Sequence, residues 1–166
     1  DEEHLNSAIK IVKSQTGQTP KGYSKNEYDY RRMLERDDLD AVLIATPAEW
    51  HALMTVDGLK NDKDVGCEVP AAETLQGCWD IVEAQKKSKC KYMFLENYVY
   101  HRNNLLIYNM TRQHAFGDLY YGQCAYIHDV RRLRFNSDGS LTWRGQRKID
   151  KFGNLYPTHS FGPVAK

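Results

Sequence analysis

The sequence has no long hydrophobic run, and its charges almost cancel. The longest apolar stretches, such as residues 41–45, are far shorter than the roughly 20 residues that a membrane-spanning helix needs. With 23 Lys and Arg against 22 Asp and Glu, the net charge is +1, so no overall field attracts nucleic acid or an anionic membrane. We expect neither as a partner. The acidic start at Asp1 is no signal peptide, but an export signal could have preceded it, so the compartment stays open.

Cysteine is scarce and scattered. None of the cysteines forms a C-x-x-C pair, which argues against a zinc knuckle or a compact disulfide scaffold. No H-E-x-x-H or similar ligand spacing occurs either, so we expect no metal. We interpret the four cysteines as buried thiols: Cys67, Cys78, Cys90 and Cys124.

Short apolar runs alternate with helical patterns over the first hundred residues. The runs at residues 40–46, 64–69 and 92–96 are typical of buried parallel strands. Between them lie predicted helices, one over residues 51–60 and another that begins at the N-cap Thr74. This alternation is typical of a doubly wound parallel sheet. The inward face of the later helix is predicted to carry Leu75, Cys78, Trp79 and Val82.

Two further helices are predicted before the first strand. The apolar residues of the first follow the helical period and stop before Gly17, and the second lies around residues 28–36. The apolar positions of the first helix are Leu5, Ala8, Ile9 and Val12.

The pattern changes near residue 100, which predicts two domains, 1–100 and 101–166. A helix over residues 103–114 and a turn at Gly117 precede residues 119–126, whose aromatic and small side chains favour a sheet with one exposed face. Residues 130–152 are charged and show little periodicity. Long excursions of this kind tend to be functional or mobile.

Polar residues follow each predicted parallel strand, where ligands of open parallel sheets bind. The alternative is that they are ordinary loop residues and helix caps, but three clusters in register favour a ligand site. The clusters are Thr46 to His51, Glu68 to Pro70, and Glu96 with Asn97.

A second candidate site lies near the end of the chain. Tyr156, Pro157, Thr158 and His159 place a phenol and an imidazole within four residues, which suits proton chemistry on a sugar. A lone loop histidine can equally be structural. Tyr126 could belong to sheet packing, and the arginines at 131, 132 and 134 favour a solvated face over a phosphate site.

Several motifs together resemble glycoside hydrolase family 109, a branch of the Gfo/Idh/MocA oxidoreductases whose type activity is α-N-acetylgalactosaminidase. The resemblance runs along nearly the whole chain, in matching order and spacing. The motifs are Glu68-Val-Pro, Leu95-Glu-Asn followed by Tyr100, Tyr126-Ile-His-Asp129, Trp143-Arg144, Gly153-Asn-Leu-Tyr-Pro-Thr-His159, and Gly162-Pro-Val164.

The resemblance implies an α/β fold with an incomplete Rossmann-type sheet in residues 1–100. Residues 101–166 would begin a substrate-binding α/β domain with an open antiparallel sheet, through which a homo-oligomer could form. It implies a bound NAD, a small carbohydrate substrate, and Tyr126 and His159 as catalytic residues. Substrate contacts would come from Tyr126, Arg144 and Tyr156. The implied cofactor contacts are Ala48, Glu49, Trp50, His51, Glu68, Val69, Asn97, Tyr156, Pro157, Thr158 and His159.

Three departures from the family pattern bear on this prediction. Val69 stands where the dehydrogenases of the wider family carry lysine, which favours the glycosidase branch. Ser160 replaces a usual glycine. The sequence contains no Gly-x-Gly phosphate loop, and the family pattern places that loop before Asp1 and the rest of the second domain after Lys166. We therefore expect truncation at both ends and no activity of these residues alone.

The mechanism implied by the resemblance is a redox-assisted elimination. Transient oxidation at C3 of the sugar acidifies the hydrogen on C2, a base removes it, the C1 substituent leaves, and water then adds. Two alternatives remain, an NAD(P)-dependent sugar dehydrogenase of the Gfo/Idh/MocA type and a non-catalytic fragment or subunit. Glu68 and Glu96 also keep a paired-carboxylate mechanism formally open.

Overall fold

The computed structural model describes residues 2–153 and 156–166. The chain forms two compact units, Asp1–Leu95 and Glu96–Lys166. The sequence predicts the domain boundary slightly later, after residue 100.

A three-stranded parallel sheet forms the centre of the first unit. Strands β1 (Ala41–Ile44), β2 (Asp64–Cys67) and β3 (Tyr92–Phe94) lie in the order β1-β2-β3. Ala41 pairs with Asp64, and Val65 pairs with Tyr92. The three predicted strands and their arrangement as parallel neighbours are confirmed. Each strand ends two residues before its predicted end, at Ile44, Cys67 and Phe94.

Four helices belong to this unit: α1 (Glu2–Thr16), α2 (Tyr30–Leu34), α3 (His51–Lys60) and α4 (Leu75–Lys87). A short 3-10 helix, Ala48–Trp50, precedes α3. The predictions of α1, which stops at Gly17 with φ +74°, and of α3 are confirmed. α2 begins later than predicted because the Asn26 side chain accepts from the Tyr28 N–H and forms a turn there.

The inward face predicted for α4 was wrong. Thr74 caps the helix as expected, accepting from the Gly77 N–H at 3.0 Å, but Gly77 and Ile81 are the buried residues. A Cβ on Gly77 would lie 3.1 Å from the Cβ of Ala52, so the close approach of α3 and α4 fixes the rotation of α4. The predicted stripe is therefore exposed, and Leu75 keeps 75% of its surface.

The hydrophobic core of this unit lies on one face of the sheet. On the other face Leu43 is 81% exposed, as the alternation of side chains along β1 requires. The expectation of buried thiols holds for Cys67 and is wrong for Cys78 and Cys124, which are exposed. The core consists of Leu34, Val42, Ile44, Leu59, Val65 and Cys67.

The second unit is made of short helices. The 3-10 helix Asn97–Tyr100 leads into α5 (Arg102–Arg112), which confirms the predicted helix. Within residues 130–152, α6 (Arg131–Arg134) and α7 (Trp143–Gln146) pack together. The last helix, α8 (Thr158–Ala165), packs on the 3-10 helix. No helix in the described ranges has the length and apolarity to cross a membrane.

The open antiparallel sheet expected in the second unit is not present in its described residues. Residues 119–126 form no strand, and the antiparallel pairing seen in this part is the single bridge between Phe135 and Leu141. A strand needs a partner for its backbone groups, and none of the described segments lies beside residues 119–126 as a strand. A homo-oligomer through such a sheet stays a prediction.

Candidate active site

The carboxyl ends of β1 and β2 form the first candidate region. Pro47 lies three residues after the end of β1, and the Trp50 N–H donates to its carbonyl at 2.9 Å, which starts the 3-10 helix. The Trp50 ring packs edge-to-face on Tyr28, with centroids 5.4 Å apart. Glu49 and Glu68 are exposed at this edge.

His51 ties the two loops of this edge together. Its side chain is buried, with 1% of the residue exposed. Nδ1 lies 2.6 Å from the Pro70 carbonyl oxygen and Nε2 lies 2.8 Å from that of Thr46. Carbonyl oxygens only accept, so both bonds together require an imidazolium. The ring has no nitrogen left for a cofactor, and His51 acts at this edge by holding its neighbours.

The charge on His51 has a physical cause. Burial alone would lower its pKa, but the interaction with the nearby Cys67 side chain and the hydrogen bonds to the carbonyls of Pro70 and Thr46 outweigh that effect. Together they raise the pKa of His51 to about 9. The ring is therefore charged at neutral pH.

The chemistry of this edge fits one half of a dinucleotide. The carboxylates of Glu49 and Glu68 are acceptors for ribose hydroxyls. Val69 is buried, so its contribution would be through the backbone. A pyrophosphate normally rests on a glycine-rich loop, and the sequence has no Gly-x-Gly.

The second candidate region, which we call the His159 cluster, consists of Glu96, Tyr98, Tyr126, Tyr156 and His159. The Nδ1 atom of His159 lies 2.8 and 3.0 Å from the two carboxylate oxygens of Glu96. The side chains of His159 and Glu96 are only 9% and 6% exposed. One oxygen of Glu96 also accepts from the Tyr98 N–H at 2.9 Å.

Three tyrosine rings surround the imidazole. Tyr98 stacks on His159 with centroids 4.5 Å apart and planes inclined by 28°. Tyr126 and Tyr156 each meet it edge-on with centroids 5.0 Å apart. The Tyr126 hydroxyl lies 2.9 Å from Nδ1 of His128. The cluster thus combines a buried carboxylate, an imidazole and phenols, which are groups that can move protons.

Local sequence explains how α8 brings His159 to Glu96. Pro157 precedes the helix, and the Ser160 hydroxyl donates to the Pro157 carbonyl at 2.9 Å. The first turn of α8 therefore accommodates Ser160 at the position where the family usually has glycine. A Cβ on Gly162 would lie 3.0 Å from Cγ of Glu96. Glycine therefore permits the close approach of α8. Thr158 has a buried hydroxyl without a hydrogen-bond partner among the described residues.

The structure brings together some of the residues predicted from sequence and leaves others apart. Tyr126, Tyr156 and His159 join one cluster. Arg144 lies over the ring of Trp143 at 4.7 Å, and no described contact joins it to the cluster. Asn97 is exposed at the start of its 3-10 helix. Asn154 and Leu155, which belong to the motif from Gly153 to His159, lie outside the described residues.

Sequence reasoning missed three members of this region: Glu96 as the partner of His159, Tyr98 as the stacking ring, and His128 as the partner of Tyr126. The polar cluster after the third strand pointed to Glu96, but not to a partner 63 residues away. No group of three or more His, Cys, Asp or Glu in the described ranges is arranged to hold a metal ion.

Comparison with known families supplies the context for both regions. The family described as "Oxidoreductase family, NAD-binding Rossmann fold" (Gfo/Idh/MocA) matches residues 3–96. The chain belongs to this family. Residues 100–166 match the "Glycosyl hydrolase 109, C-terminal domain". The resemblance to family 109 within the Gfo/Idh/MocA oxidoreductases is therefore confirmed, and so is the Rossmann-type fold of the first unit.

Curated relatives agree with both matches. The chain is 40% identical over 163 residues to a glycosyl hydrolase family 109 protein of Shewanella woodyi. It is 38% identical over 163 residues to an α-N-acetylgalactosaminidase of Shewanella oneidensis. Each alignment covers 98% of this chain but only 35% and 36% of the respective relative. The chain thus spans about a third of the length of the curated relatives it matches.

Solved structures share the fold at lower identity. A myo-inositol 2-dehydrogenase of Lactobacillus plantarum superimposes with a TM-score of 0.60 and 17% identity, over 69% of this chain and 33% of that one. An NAD-binding protein of Listeria innocua gives a TM-score of 0.56 and 28% identity, over 69% of this chain and 31% of that one. The first similarity shows the fold alone.

Proposed function

We propose that this chain serves an NAD-dependent glycoside hydrolase that cleaves an α-N-acetylgalactosaminide-type bond through transient oxidation at C3. The observation that carries the proposal is the His159 cluster, in which an imidazole paired with a carboxylate is surrounded by phenols. The α-N-acetylgalactosaminidase relative supports the substrate class.

The proposed cofactor role rests on the family and on the chemistry of the edge. When bound, NAD supplies the reversible oxidation of C3, and the resulting ketone acidifies the hydrogen on C2. Glu49 and Glu68 would hold ribose hydroxyls, with Ala48 and Trp50 lining the ring side and His51 fixing the loop. The resemblance also assigns cofactor contacts to Asn97 and to residues 156–159 of the second unit.

The chain's own residues would then handle the protons and the sugar. Tyr126 through Oη and His159 through Nε2 serve the proton transfers at C2. Loss of the C2 proton accompanies cleavage of the bond between C1 and the leaving oxygen, and water later adds at C1 as the proton returns to C2. The reaction is a net hydrolysis without net oxidation. Tyr156 would contact the sugar, and Arg144 is a further proposed contact.

Val69 favours this reaction over a plain sugar dehydrogenase. A dehydrogenase of this fold uses a lysine ammonium at that position according to the resemblance, whereas Val69 is apolar and buried. An apolar side chain cannot exchange a proton with an alcohol. A sugar dehydrogenase and a non-catalytic subunit are the alternatives that the experiment must separate.

The test uses the complete gene product that contains these residues, with para-nitrophenyl α-N-acetylgalactosaminide as substrate. We expect nitrophenol release that is lost when bound NAD is removed, is restored by adding NAD, and produces no net NADH. The corresponding thioglycoside should also be cleaved, because protonation of the leaving group matters little in an elimination. Stoichiometric NADH would identify a dehydrogenase, and no turnover with NAD present would favour a non-catalytic role.

A further inference from the structure

We propose that Glu96 is a positioning residue that fixes the tautomer of His159. By accepting the Nδ1 hydrogen, the Glu96 carboxylate leaves Nε2 as the ring nitrogen that exchanges protons with the substrate. The tautomer itself follows from the geometry of the pair, while its use in the reaction rests on the proposed function.

The geometry around Nδ1 defines the direction of the hydrogen bond. Both carboxylate oxygens of Glu96 lie within 3.0 Å of Nδ1, and a carboxylate offers only lone pairs. The Tyr98 N–H donates to Oε1 as well, so this oxygen already acts as an acceptor. Nδ1 therefore carries the hydrogen, and Nε2 of the neutral ring carries the free lone pair.

If Glu96 only capped the 3-10 helix, its contacts with His159 would not be needed. Capping the 3-10 helix occupies one oxygen of Glu96, through the Tyr98 N–H, and any acceptor of similar shape would suffice. The second oxygen lies 3.0 Å from His159. The ring is also stacked on Tyr98, so its edge and its face are both held. Such a fixed orientation is what a proton-transfer group needs.

The burial of the pair strengthens the effect of the charge. With side chains 9% and 6% exposed, His159 and Glu96 interact where water screens little. When His159 takes up a proton at Nε2, the adjacent carboxylate stabilises the imidazolium that forms, as in carboxylate–histidine arrangements of hydrolases. Glu96 would thus act through His159, without touching the sugar.

Two substitutions of Glu96 separate capping from positioning. Glutamine retains a carbonyl oxygen that can accept from the Tyr98 N–H, and its NH₂ group then faces Nδ1 as a donor. That oxygen occupies the position of Oε1, which also lies 2.8 Å from Nδ1, so Glu96→Gln keeps one acceptor for Nδ1 and removes the negative charge. Glu96→Leu removes both acceptors, and the ring hydrogen is then free to move to Nε2. Glu96→Asp keeps an acceptor and should retain the original tautomer in part. Asp118→Asn, an exposed acid of the same unit, is the matched control.

The readout is the tautomer of His159 in long-range ¹H–¹⁵N NMR spectra of histidine-labelled complete gene product, assigned with His159→Asn. We expect hydrogen on Nδ1 in the unmodified protein and in Asp118→Asn, and hydrogen on Nε2 in Glu96→Leu. Glu96→Gln should also lose on the order of 10²-fold or more in kcat with little change in KM, and Glu96→Asp should recover part of it. Thermal melting of each variant checks that it is folded.

The outcomes separate this proposal from the proposed function. Hydrogen on Nε2 in the unmodified protein, or a folded Glu96→Leu with unchanged tautomer and kcat, would overturn the positioning role. If instead the tautomer reverses as expected but activity never requires NAD, the positioning of His159 stands and the redox-assisted reaction falls.

Discussion

Replacing His51 should destabilise the first unit and remove most of its pH dependence above neutrality. The ring donates to two carbonyl oxygens at 2.6 and 2.8 Å and has a pKa of about 9, compared with about 6.5 for an unperturbed histidine. Each pKa unit corresponds to about 1.4 kcal/mol, which gives on the order of 3 kcal/mol. We therefore expect the loss of His51 to lower the free energy of unfolding by about 2–3 kcal/mol.

The sign of the pH dependence follows from the raised pKa of His51. The folded state binds the proton more tightly than the unfolded chain, so the stabilisation is fully present below about pH 6.5. It is lost as pH rises through about 9, because the neutral ring can donate to only one of the two carbonyls. The free energy of unfolding should therefore decrease from pH 6.5 to about 9.

Urea denaturation of the 166-residue chain at a series of pH values measures this effect. His51→Gln should lower the free energy of unfolding at pH 6 by about 2 kcal/mol and flatten the decrease between pH 6.5 and 9. His114→Asn is the matched control, because His114 is exposed with φ +55°, a conformation that asparagine tolerates. A free energy of unfolding independent of pH in the unmodified chain would refute the charged, doubly bonded His51.

Two further predictions concern the cofactor and the proton-transfer residues. The 166-residue chain should bind NAD more weakly than micromolar in calorimetric titration, because the pyrophosphate lacks a glycine loop, and micromolar binding would place the cofactor elsewhere. In the complete gene product, Tyr126→Phe and His159→Ala should each lower kcat by about 10²–10⁴-fold, while Tyr121→Phe, at an exposed ring of the same segment, should leave it unchanged. Equal kcat in all three variants would remove Tyr126 and His159 from the reaction.

The strands and several helices could be predicted from local sequence because local forces determine them. The apolar runs end at Pro47 and Pro70, neither of which can extend a ladder. The N-cap at Thr74 could be predicted because threonine is a favoured N-cap residue, and its hydroxyl accepts from the N–H of Gly77. These features depend on neighbours within a few positions along the chain.

Features decided by tertiary contacts could not be predicted in this way. The rotation of α4 depends on the fit of Gly77 against Ala52, which outweighs the larger apolar stripe. The partners of His51 are backbone carbonyls, which no side-chain motif reveals. Residues 119–126 have strand-like side chains, but their state depends on a pairing partner that the sequence pattern does not supply.

The residue types of the candidate site were predictable from the sequence, but the contacts between its side chains were predictable only in part. Tyr126, Tyr156 and His159 were found because each belongs to a motif with a recognisable order. Glu96 was placed with the loops of the sheet, whereas its carboxylate lies beside His159. A contact between residues so far apart in the chain required the fold of the second unit.

The fate of the C2 hydrogen tests the central claim most directly. Turnover of para-nitrophenyl α-N-acetylgalactosaminide by the complete gene product in D₂O, followed by NMR of the released sugar, shows whether that hydrogen leaves during the reaction. The proposed elimination requires deuterium at C2 of the product, with His159→Ala lowering turnover and exchange together. Product formed with its C2 hydrogen fully retained would contradict the elimination and return attention to direct hydrolysis by carboxylates.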